Sequence, residues 1–435
     1  MAMLRILSNL FLAVLLCAAA AQTGGNRVIE VLHQFTLEEP TPVEVRAVPI
    51  RAGVAAPPAK ASPQADYPMA FGGPEQNSRL PGSLPAAAWS IRWQSGLNGS
   101  AAPNHVVQAA DRILTEGGGL WQLFDLAGMP VAQGRYMGSH VVLDSPHSLF
   151  YFIDTNNLLM ALHLADAGKL FMIFPSFGEN FVRPLLVRQN NRFVLAATEL
   201  EGAPHRPAPP NLSVIEYDEL GPELKTGRTG LLFSLTARGK LLIRTNKFAA
   251  AMHDDTVAFA VPGRIYLASS DMKVKGAFDG DFEPFSLSMD ESGRMYFVAL
   301  RGGRYELWIL SPDGALIGSH PLKPGMERLV APPIVAYDHR VFVVSSSTIL
   351  ALDPACKLLW EAGASSPIAG AAVTADGRLL VSTGAEVSAF DEQGRRTTLH
   401  SFSGDSLTSA PVLTGNQELL VASRSFLYCL KAEGR

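Results

Sequence analysis

The acidic and histidine side chains that could bind a metal ion are few and scattered along the chain. None of the ten histidines stands in a His-Glu-x-x-His motif or in another paired zinc spacing. Residues 253–255 (His-Asp-Asp) form the densest cluster, which a polar turn between two strands explains better than a metal site. Asp279, Asp281 and Glu283 alternate as calcium ligands can, but no glycine-ended loop with a downstream glutamate follows them. We predict no metal site.

Motifs for phosphate binding and nucleophilic catalysis are equally weak. Three consecutive glycines at 117–119 lead into the apolar run 120–124, which is a strand pattern. A phosphate-binding loop would lead into the N-terminus of a helix instead. No serine stands in a Gly-x-Ser-x-Gly context. The sequence therefore predicts no catalytic and no cofactor-binding residue.

Composition limits the class of protein. The 435 residues are 47% hydrophobic and 17% charged, with a formal net charge of -4. This balance excludes a disordered chain, and it disfavours nucleic-acid binding, which needs a basic face. The 38 glycines and 30 prolines indicate many turns, and hence short strands rather than long helices.

The first 21 residues have the pattern of a secretory signal peptide. Arg5 precedes an apolar core at 6–17, and Ala19 to Ala21 supply small residues for cleavage. The apolar run is too short to span a bilayer, so we expect no stable transmembrane span. A lipid anchor at Cys17 is the less favoured alternative, because the bulky Leu16 precedes the cysteine. The sequence thus predicts an exported protein, either periplasmic or extracellular.

Residues 22–88 differ in composition from the rest of the chain. A short strand is predicted at 28–35, and ten prolines follow between Pro40 and Pro85. Because proline lacks a backbone donor and fixes φ, this stretch cannot form a strand ladder or a long helix. We expect an extended arm or linker ahead of the domain at 89–435.

A pattern of a polar turn followed by an apolar run recurs about every 40 residues from residue 89 onward. Its eight copies begin at Asp111, His147, Asn191, Asp255, Gly293, His339, Gly377 and Gln417. A second turn follows in most copies, predicted at residues 128, 168, 239, 314, 356, 394 and 434. Glycine occupies these positions except at Cys356, because such turns need a positive φ.

A period of this length with four short strands per repeat is typical of a β-propeller blade. The last copy stops at Gly434, directly after its turn, without a fourth strand. A matching strand stands at Trp89–Gly96, which is similar to Leu359–Gly363. We therefore predict an all-β, eight-bladed propeller of four-stranded blades, closed by residues 89–96 completing the last blade. The two remaining cysteines, Cys356 and Cys429, are expected to be free thiols.

The repeat Ala351–Trp360 resembles the tryptophan-docking repeat of the pyrroloquinoline-quinone-type eight-bladed propellers. The stretch Tyr67–Asn77, followed by Trp93, is similar to the start of those domains. This family includes quinoprotein alcohol dehydrogenases and non-enzymatic members such as an outer-membrane assembly propeller. The dehydrogenases hold Ca²⁺, use an Asp base and often carry a vicinal disulfide. No adjacent cysteine pair occurs here, so the resemblance implies the fold more firmly than the activity.

An insertion of about 30 residues, at about 199–230, interrupts the third repeat. The spacing predicts that it lies between the second and third strands of that blade. Long loops in compact domains are often functional. Arg206, Tyr217 and Arg228 are candidate partner contacts, because Tyr and Arg are enriched at interface hot spots.

Together these features favour an exported, non-catalytic and monomeric propeller that acts as a scaffold. It would bind a partner protein or a cell-envelope component, without a cofactor. Two alternatives remain open at this point. One is a quinone- or metal-dependent oxidoreductase. The other is a carbohydrate-binding or carbohydrate-active propeller, which would gather aromatic and carboxylate side chains at the central channel.

Overall fold

A computed structural model of the chain describes residues 78–80, 82–98, 102–109, 111–136, 141–144, 149–153, 159–167, 169–173, 179–187, 192–200, 207–216, 236–242, 249–254, 256–261, 263–269, 274–280, 283–326 and 329–434. These residues form strands and turns, and none of them is helical. Over the same ranges there is accordingly no apolar helix of the length that a bilayer requires. The predicted all-β class is confirmed.

The described strands assemble into eight four-stranded antiparallel sheets, numbered here sheet 1 to sheet 8. Sheet 1 contains β2 (His105–Ala109), β3 (Arg112–Gly117), β4 (Leu120–Asp125) and β5 (Pro130–Arg135). Sheet 2 contains β6 (Val142–Asp144), β7 (Leu149–Ile153), β8 (Leu159–His163) and β9 (Lys169–Ile173). Sheet 3 contains β10 (Glu179–Val187), β11 (Arg192–Leu200), β12 (Pro207–Glu216) and β13 (Thr236–Leu242). Sheet 4 contains β14 (Ala249–His253), β15 (Thr256–Val261), β16 (Arg264–Ser269) and β17 (Val274–Asp279).

The second half of the chain repeats this arrangement. Sheet 5 contains β18 (Glu283–Met289), β19 (Met295–Arg301), β20 (Arg304–Leu310) and β21 (Leu316–Pro321). Sheet 6 contains β22 (Ile334–Val335), β23 (Val341–Val344), β24 (Thr348–Leu352) and β25 (Leu358–Gly363). Sheet 7 contains β26 (Ile368–Val373), β27 (Leu379–Thr383), β28 (Glu386–Phe390) and β29 (Arg396–Ser401). Sheet 8 contains β30 (Val412–Leu413), β31 (Leu419–Ala422), β32 (Phe426–Ala432) and β1 (Trp89–Gly96).

Each of the eight sequence repeats contains the second strand of one sheet. The burial of these strands explains their apolar runs. All five residues of β27 are buried, because neighbouring sheets cover both of its faces. The fourth strands, such as β25, have mostly exposed or half-buried residues instead. First strands of neighbouring sheets contact each other, as β18 and β26 both contact β22, which leaves the fourth strands as open edges.

The core is divided among the spaces between sheets. Between sheets 6 and 7, for example, Phe342 and Ile349 pack with Leu379 and Phe390. Between sheets 1 and 2, the Trp121 ring lies 5.0 Å from the Phe150 ring in an edge-to-face arrangement. A sheet in this fold therefore buries its faces only against its neighbours.

β1 is the fourth strand of sheet 8, although it is the first described strand of the chain. It pairs antiparallel with β32, from Trp89 opposite Ala432 to Gly96 opposite Phe426. The next strand, β2, contacts β30 and β31 of sheet 8 and also β6 of sheet 2. Sheet 1 is thus flanked by sheets 8 and 2.

The turns that follow third strands agree with the sequence in most sheets. Gly128, Gly314, Gly394 and Gly434 have φ values between 77° and 86°. Cys356 takes the same position with φ of 66°. The turn predicted at Gly239 is wrong, because Gly239 lies inside β13 and pairs with Val214.

The predicted place of the insertion in sheet 3 is also wrong. Residues 207–216 belong to the segment 199–230, yet they form β12, the third strand of the sheet. Their prolines suggested a loop, because proline cannot donate to a ladder. However, β13 pairs with β12 only from Asn211 onward, so among the described strands the proline-containing end pairs with β11 alone. The connections at 201–206 and 217–235 lie outside the described residues.

Cys356 and Cys429 are both buried and free, as expected. They lie in sheets 6 and 8 respectively, with sheet 7 between them. Burial, and then the charge of Asp353, raise the pKa of the Cys356 thiol to about 12. Burial likewise raises the pKa of Cys429. Both thiols are therefore protonated at neutral pH.

Candidate functional site

The three predicted partner contacts lie outside the described residues. Arg206 comes directly before β12, whereas Tyr217 comes directly after it and Arg228 further on. A strand of ten residues therefore separates Arg206 from the other two. The three residues do not belong to one uninterrupted loop.

The described residues of the acidic clusters noted in the sequence lie at strand ends and in one turn. His253 ends β14, and its Nε2 lies 3.4 Å from Oδ2 of Asp254 in the turn to β15. Asp279 ends β17 and binds the guanidinium of Arg264 on the paired strand β16 with both carboxylate oxygens. Among the described residues, no group of three or more His, Cys, Asp or Glu side chains is arranged to hold a metal ion.

Aspartates at the ends of third strands stabilise the turns that follow. Oδ1 of Asp125 accepts the backbone N–H of Ala127 at 2.9 Å and that of Met129 at 2.8 Å. These bonds satisfy donors that a tight turn would leave unpaired. Asp353 binds Ala355 and Lys357 in the same way, and Asp391 binds Gln393 and Arg395.

Arginines at the start of second strands join neighbouring sheets. Nε of Arg112 donates to the carbonyl of Leu164 at 2.8 Å, which links sheet 1 to sheet 2. Nη2 of Arg340 donates to the carbonyl of Gly377 at 3.1 Å, which links sheet 6 to sheet 7. Arg112 and Arg340, each the second residue of its sequence repeat, are therefore structural contacts.

Trp360, on the fourth strand of sheet 6, docks onto the turn of sheet 7. Its indole N–H donates to the carbonyl of Glu392 at 3.0 Å, and its ring stacks on Phe390 at 5.8 Å. A Cβ placed on Gly394 would lie 2.7 Å from the indole ring. Glycine is thus required here both for the positive φ and for the approach of the tryptophan.

Trp93 repeats this docking between sheets 8 and 1. A Cβ placed on Gly128 would lie 2.6 Å from its ring, as at the Trp360 contact. However, the buried indole N–H of Trp93 has no hydrogen-bond acceptor among the described residues. The equivalent of Glu392 in the turn of sheet 1 is Leu126, whose carbonyl does not receive this bond.

A cavity of about 260 Å³ lies at the seam between sheets 8 and 1, next to Trp93. Its lining includes Leu126 from the turn of sheet 1 and the turn of sheet 8 that contains Thr414, Asn416 and Glu418. The seam combines an aromatic ring, two amides and a carboxylate in one place, which sequence reasoning did not anticipate. Only the three-dimensional closeness of residues 93, 108 and 414–418 reveals it.

Residues 78–80 and 82–84, which precede β1, cross the turns of sheets 5 to 7. The Arg79 side chain donates to the carbonyls of Val335 and Ala336, forms an ion pair with Glu291 and lies 4.6 Å above the Tyr337 ring. Backbone bonds join Ser78 and Leu80 to Val373. Leu80 and Leu84 are buried in the core of sheets 7, 8 and 1. This segment therefore belongs to the folded body.

A buried network centred on Asp290 lies beneath Arg79. Asp290 accepts hydrogen bonds from the Tyr296 hydroxyl at 2.8 Å and from Nδ1 of His339 at 3.0 Å. Its other oxygen binds the Ser292 hydroxyl and the Arg294 N–H. Burial acts to raise the pKa of Asp290, but these hydrogen bonds hold it well below the usual range. The ionised carboxylate therefore joins sheet 5 to the turn of sheet 6.

Glu116 is a second buried carboxyl group, at the end of β3. It accepts the N–H of Val141, the residue before β6, and it pairs across the sheet with His105. Burial raises the pKa of Glu116 to about 7, against the opposing effects of His105 and of the Val141 hydrogen bond. Burial and the charge of Glu116 also raise the pKa of Tyr136. The Glu116 carboxyl group can exchange a proton near neutral pH, but it is enclosed, since the residue is 1% exposed.

Large apolar side chains are exposed on outer strands and their turns. Met129 is 62% exposed, next to the docking site of Trp93, and Leu358 and Leu359 are 45% and 48% exposed on β25. Ile91 on β1 and Val131 on β5 are partly exposed as well. Open strand edges with apolar side chains are surfaces to which other chains bind.

No family model matches the chain, and no curated protein matches it. Three solved structures are similar over most of their length. A europium-containing methanol dehydrogenase has 10% identity, with 84% of this chain and 98% of that chain covered at a TM-score of 0.56. BamB from Moraxella catarrhalis has 12% identity, with 80% and 99% covered at a TM-score of 0.54. Quinohemoprotein alcohol dehydrogenase from Comamonas testosteroni has 10% identity, with 86% and 81% covered at a TM-score of 0.62.

These similarities define the class of fold. The chain has a β-propeller fold, and its likeness to two dehydrogenases and to BamB confirms the resemblance inferred from its repeats. At 10–12% identity the likeness extends to the fold alone. Because such a fold carries unrelated activities, the function has to be argued from this chain's own residues.

Proposed function

We propose that this protein is an exported, non-catalytic, eight-bladed β-propeller that binds a partner protein or a component of the cell envelope. Each four-stranded sheet would be one blade. The contacts of β2 with both sheet 8 and sheet 2 support a closed ring in which β1 completes the last blade. The repetition of the Trp360 docking by Trp93 at that seam supports the same closure. In a closed ring, sheets 1 and 8 would cover each other, whereas in an open array each would leave one side exposed.

The observation that carries the proposal is the exposure of large apolar side chains on the open outer edges. Met129 and Leu359 are the clearest examples, on sheets 1 and 6. By contrast, the acidic and basic groups of the repeat turns are already engaged with the protein itself, as Asp125 and Arg340 illustrate. The surface groups that remain available are therefore suited to binding rather than to acid–base chemistry.

Export rests on the sequence of residues 1–21, and it would place the protein in the periplasm or outside the cell. Residues 22–77 would then form the arm ahead of the propeller. Arg206, Tyr217 and Arg228 remain proposed contact residues in the connections that flank β12. Their separation by this strand implies two contact regions on sheet 3 rather than one.

Site-specific photo-cross-linking in the native host tests the proposal. A photoreactive phenylalanine derivative would replace Met129 or Leu359 on the outer edges. Matched controls would carry it at Arg395 or Asp111, whose side chains are 77% and 71% exposed but polar. We expect the same cross-linked partner at an edge position in repeated preparations, and no such product at the control positions.

Equal products at all four positions, or none at the edges, would overturn the scaffold proposal. An absorbance spectrum and metal analysis of protein purified from its native envelope test the oxidoreductase alternative separately. A quinone band or stoichiometric Ca²⁺ would overturn the non-catalytic assignment. A cross-linked partner without such a band would support it.

A further inference from the structure

The cavity at the seam between sheets 8 and 1 lies beside a tryptophan contact that differs from the equivalent contact between sheets 6 and 7. There, the Trp360 indole reaches the turn of the next sheet and donates to Glu392. At the seam of sheets 8 and 1, the Trp93 ring packs on Gly128 but its N–H stays unpaired, and the turn residue Leu126 lines the cavity instead. A buried donor without an acceptor is costly, so its retention needs a reason.

The walls of the cavity combine two kinds of surface. Ile113, Leu420 and Cys429 form an apolar floor and are each about 1% exposed. Gln108, Thr414 and Asn416 add amide and hydroxyl groups, which can both donate and accept hydrogen bonds. A ligand that fits these walls needs an apolar face and several hydrogen-bonding groups.

The charge of the cavity is balanced. Glu418 has the only carboxyl group among the wall residues, and its carboxylate forms an ion pair with Arg92 of β1. The Glu418 side chain is 12% exposed, whereas that of Arg92 is 49% exposed. Because the carboxylate is neutralised from outside the cavity, a charged ligand would find no unpaired counter-ion among these walls.

The size of the cavity limits the ligand further. A volume of about 260 Å³ is just below the roughly 300–1,000 Å³ of pockets that hold drug-sized molecules. A single sugar ring or a polyol of similar size is the appropriate class, since it is uncharged, carries hydroxyl groups that donate and accept, and has an apolar C–H face.

We propose that the seam between sheets 8 and 1 is a binding site for a small uncharged sugar or polyol, held between Trp93 of β1 and the turn of sheet 8 at 414–418. The site is formed by the first and last described strands together. The cavity borders the outer edge of sheet 8, since Trp93 lies on β1. The two proposals are nevertheless tested separately, because cross-linking at Leu359 of sheet 6 reports on the partner and ligand binding reports on the cavity.

Saturation-transfer difference NMR of the full-length mature protein tests this proposal. The neutral probes are D-glucose, N-acetylglucosamine and myo-inositol, and the charged comparisons are glucosamine and glucuronate. Leu126→Trp fills the cavity from the turn of sheet 1. Glu392→Trp places the same bulk at the equivalent turn position beside Trp360, where no ligand is proposed. Asn416→Ala removes one rim amide at an exposed position, so it leaves the fold intact.

We expect at least one neutral probe to bind the wild-type protein and the Glu392→Trp variant. Leu126→Trp should weaken that binding by about tenfold or more, and Asn416→Ala by about threefold, which corresponds to the loss of one hydrogen bond. Binding of none of the neutral probes, preference for a charged probe, or binding unchanged in Asn416→Ala would each overturn the proposal. Should Leu126→Trp unfold, as circular dichroism would reveal, the Asn416→Ala comparison decides alone.

Discussion

Gly318 on the fourth strand of sheet 5 packs against Cys356 in the turn of sheet 6. At the next contact, between sheets 6 and 7, the larger residue, Trp360, is on the strand and the glycine, Gly394, is in the turn. Gly318 on β21 occupies the position of Trp360 on β25, since each pairs with the residue before the last of its neighbouring strand. The turn that faces Gly318 carries Cys356, whereas the turn that faces Trp360 carries Gly394. A Cβ on Gly318 would lie 3.1 Å from the Cys356 Cβ and 3.0 Å from the Ala355 carbonyl oxygen. A large and a small residue are thus paired at both contacts, in opposite order.

This pairing predicts that Gly318→Ala destabilises the protein. The added methyl group meets backbone that can move little, so we expect a loss of about 1–2 kcal/mol in the free energy of unfolding. Adding Cys356→Gly removes one of the two crowding atoms, and the double variant should recover part of this loss. Urea denaturation of the four proteins measures the coupling. Strictly additive effects would show that the two positions do not share one space.

The two docked tryptophans predict unequal effects of the same substitution. Trp360→Phe removes ring volume and a hydrogen bond to Glu392, whereas Trp93→Phe removes ring volume alone. We expect Trp360→Phe to cost about 1 kcal/mol more in the free energy of unfolding than Trp93→Phe. Chemical denaturation of both variants checks the difference, and each serves as the other's control. A larger loss for Trp93→Phe would contradict this assignment.

Much of the fold could be predicted from the sequence because its signals are local and repeated. The polar turn and apolar run of each repeat depend on neighbours only a few residues away, and they mark all eight second strands. The turn at Cys356 was predicted despite the missing glycine, because Asp353 and the flanking strands preserve the pattern. The fold of β12 was missed, since the prolines at 207, 209 and 210 resemble a loop more than a strand.

The buried polar groups could not be predicted from local patterns. Asp290 stands in a stretch that resembles any solvated turn, and its partner His339 is 49 residues away. Glu116 and Val141 are separated by 25 residues and join two different sheets. The seam cavity requires residues from both ends of the propeller region. Such sites depend on which sheets become neighbours, and local sequence patterns do not show which distant residues come into contact.

The Asp290 network predicts a loss of stability in acid. The pKa of Asp290 is lowered in the folded state, so its contribution is present above the ordinary carboxyl pKa of 3.8 and is lost as the pH falls below it. Asp290→Asn should cost about 2–4 kcal/mol at pH 6, because it leaves His339 and Tyr296 with a weaker acceptor. The difference between variant and wild type should shrink by pH 3. Asp111→Asn, at an exposed side chain, is the control, and a constant difference at both pH values would contradict the prediction.

The contribution of Glu116 to the free energy of unfolding should depend on pH in the opposite direction. Its pKa rises from 4.5 to about 7 on folding, so the folded state binds a proton more tightly than the unfolded state does. The free energy of unfolding should therefore fall as the pH rises from 4.5 to 7, by roughly 3 kcal/mol in total. Glu116→Gln keeps an oxygen acceptor for the Val141 N–H but cannot ionise. We expect this variant to be about as stable as wild type at pH 5 and more stable at pH 8, as measured by urea denaturation at both pH values. A variant that is less stable at pH 8 would show that the ionised carboxylate is itself a favourable contact between sheets 1 and 2.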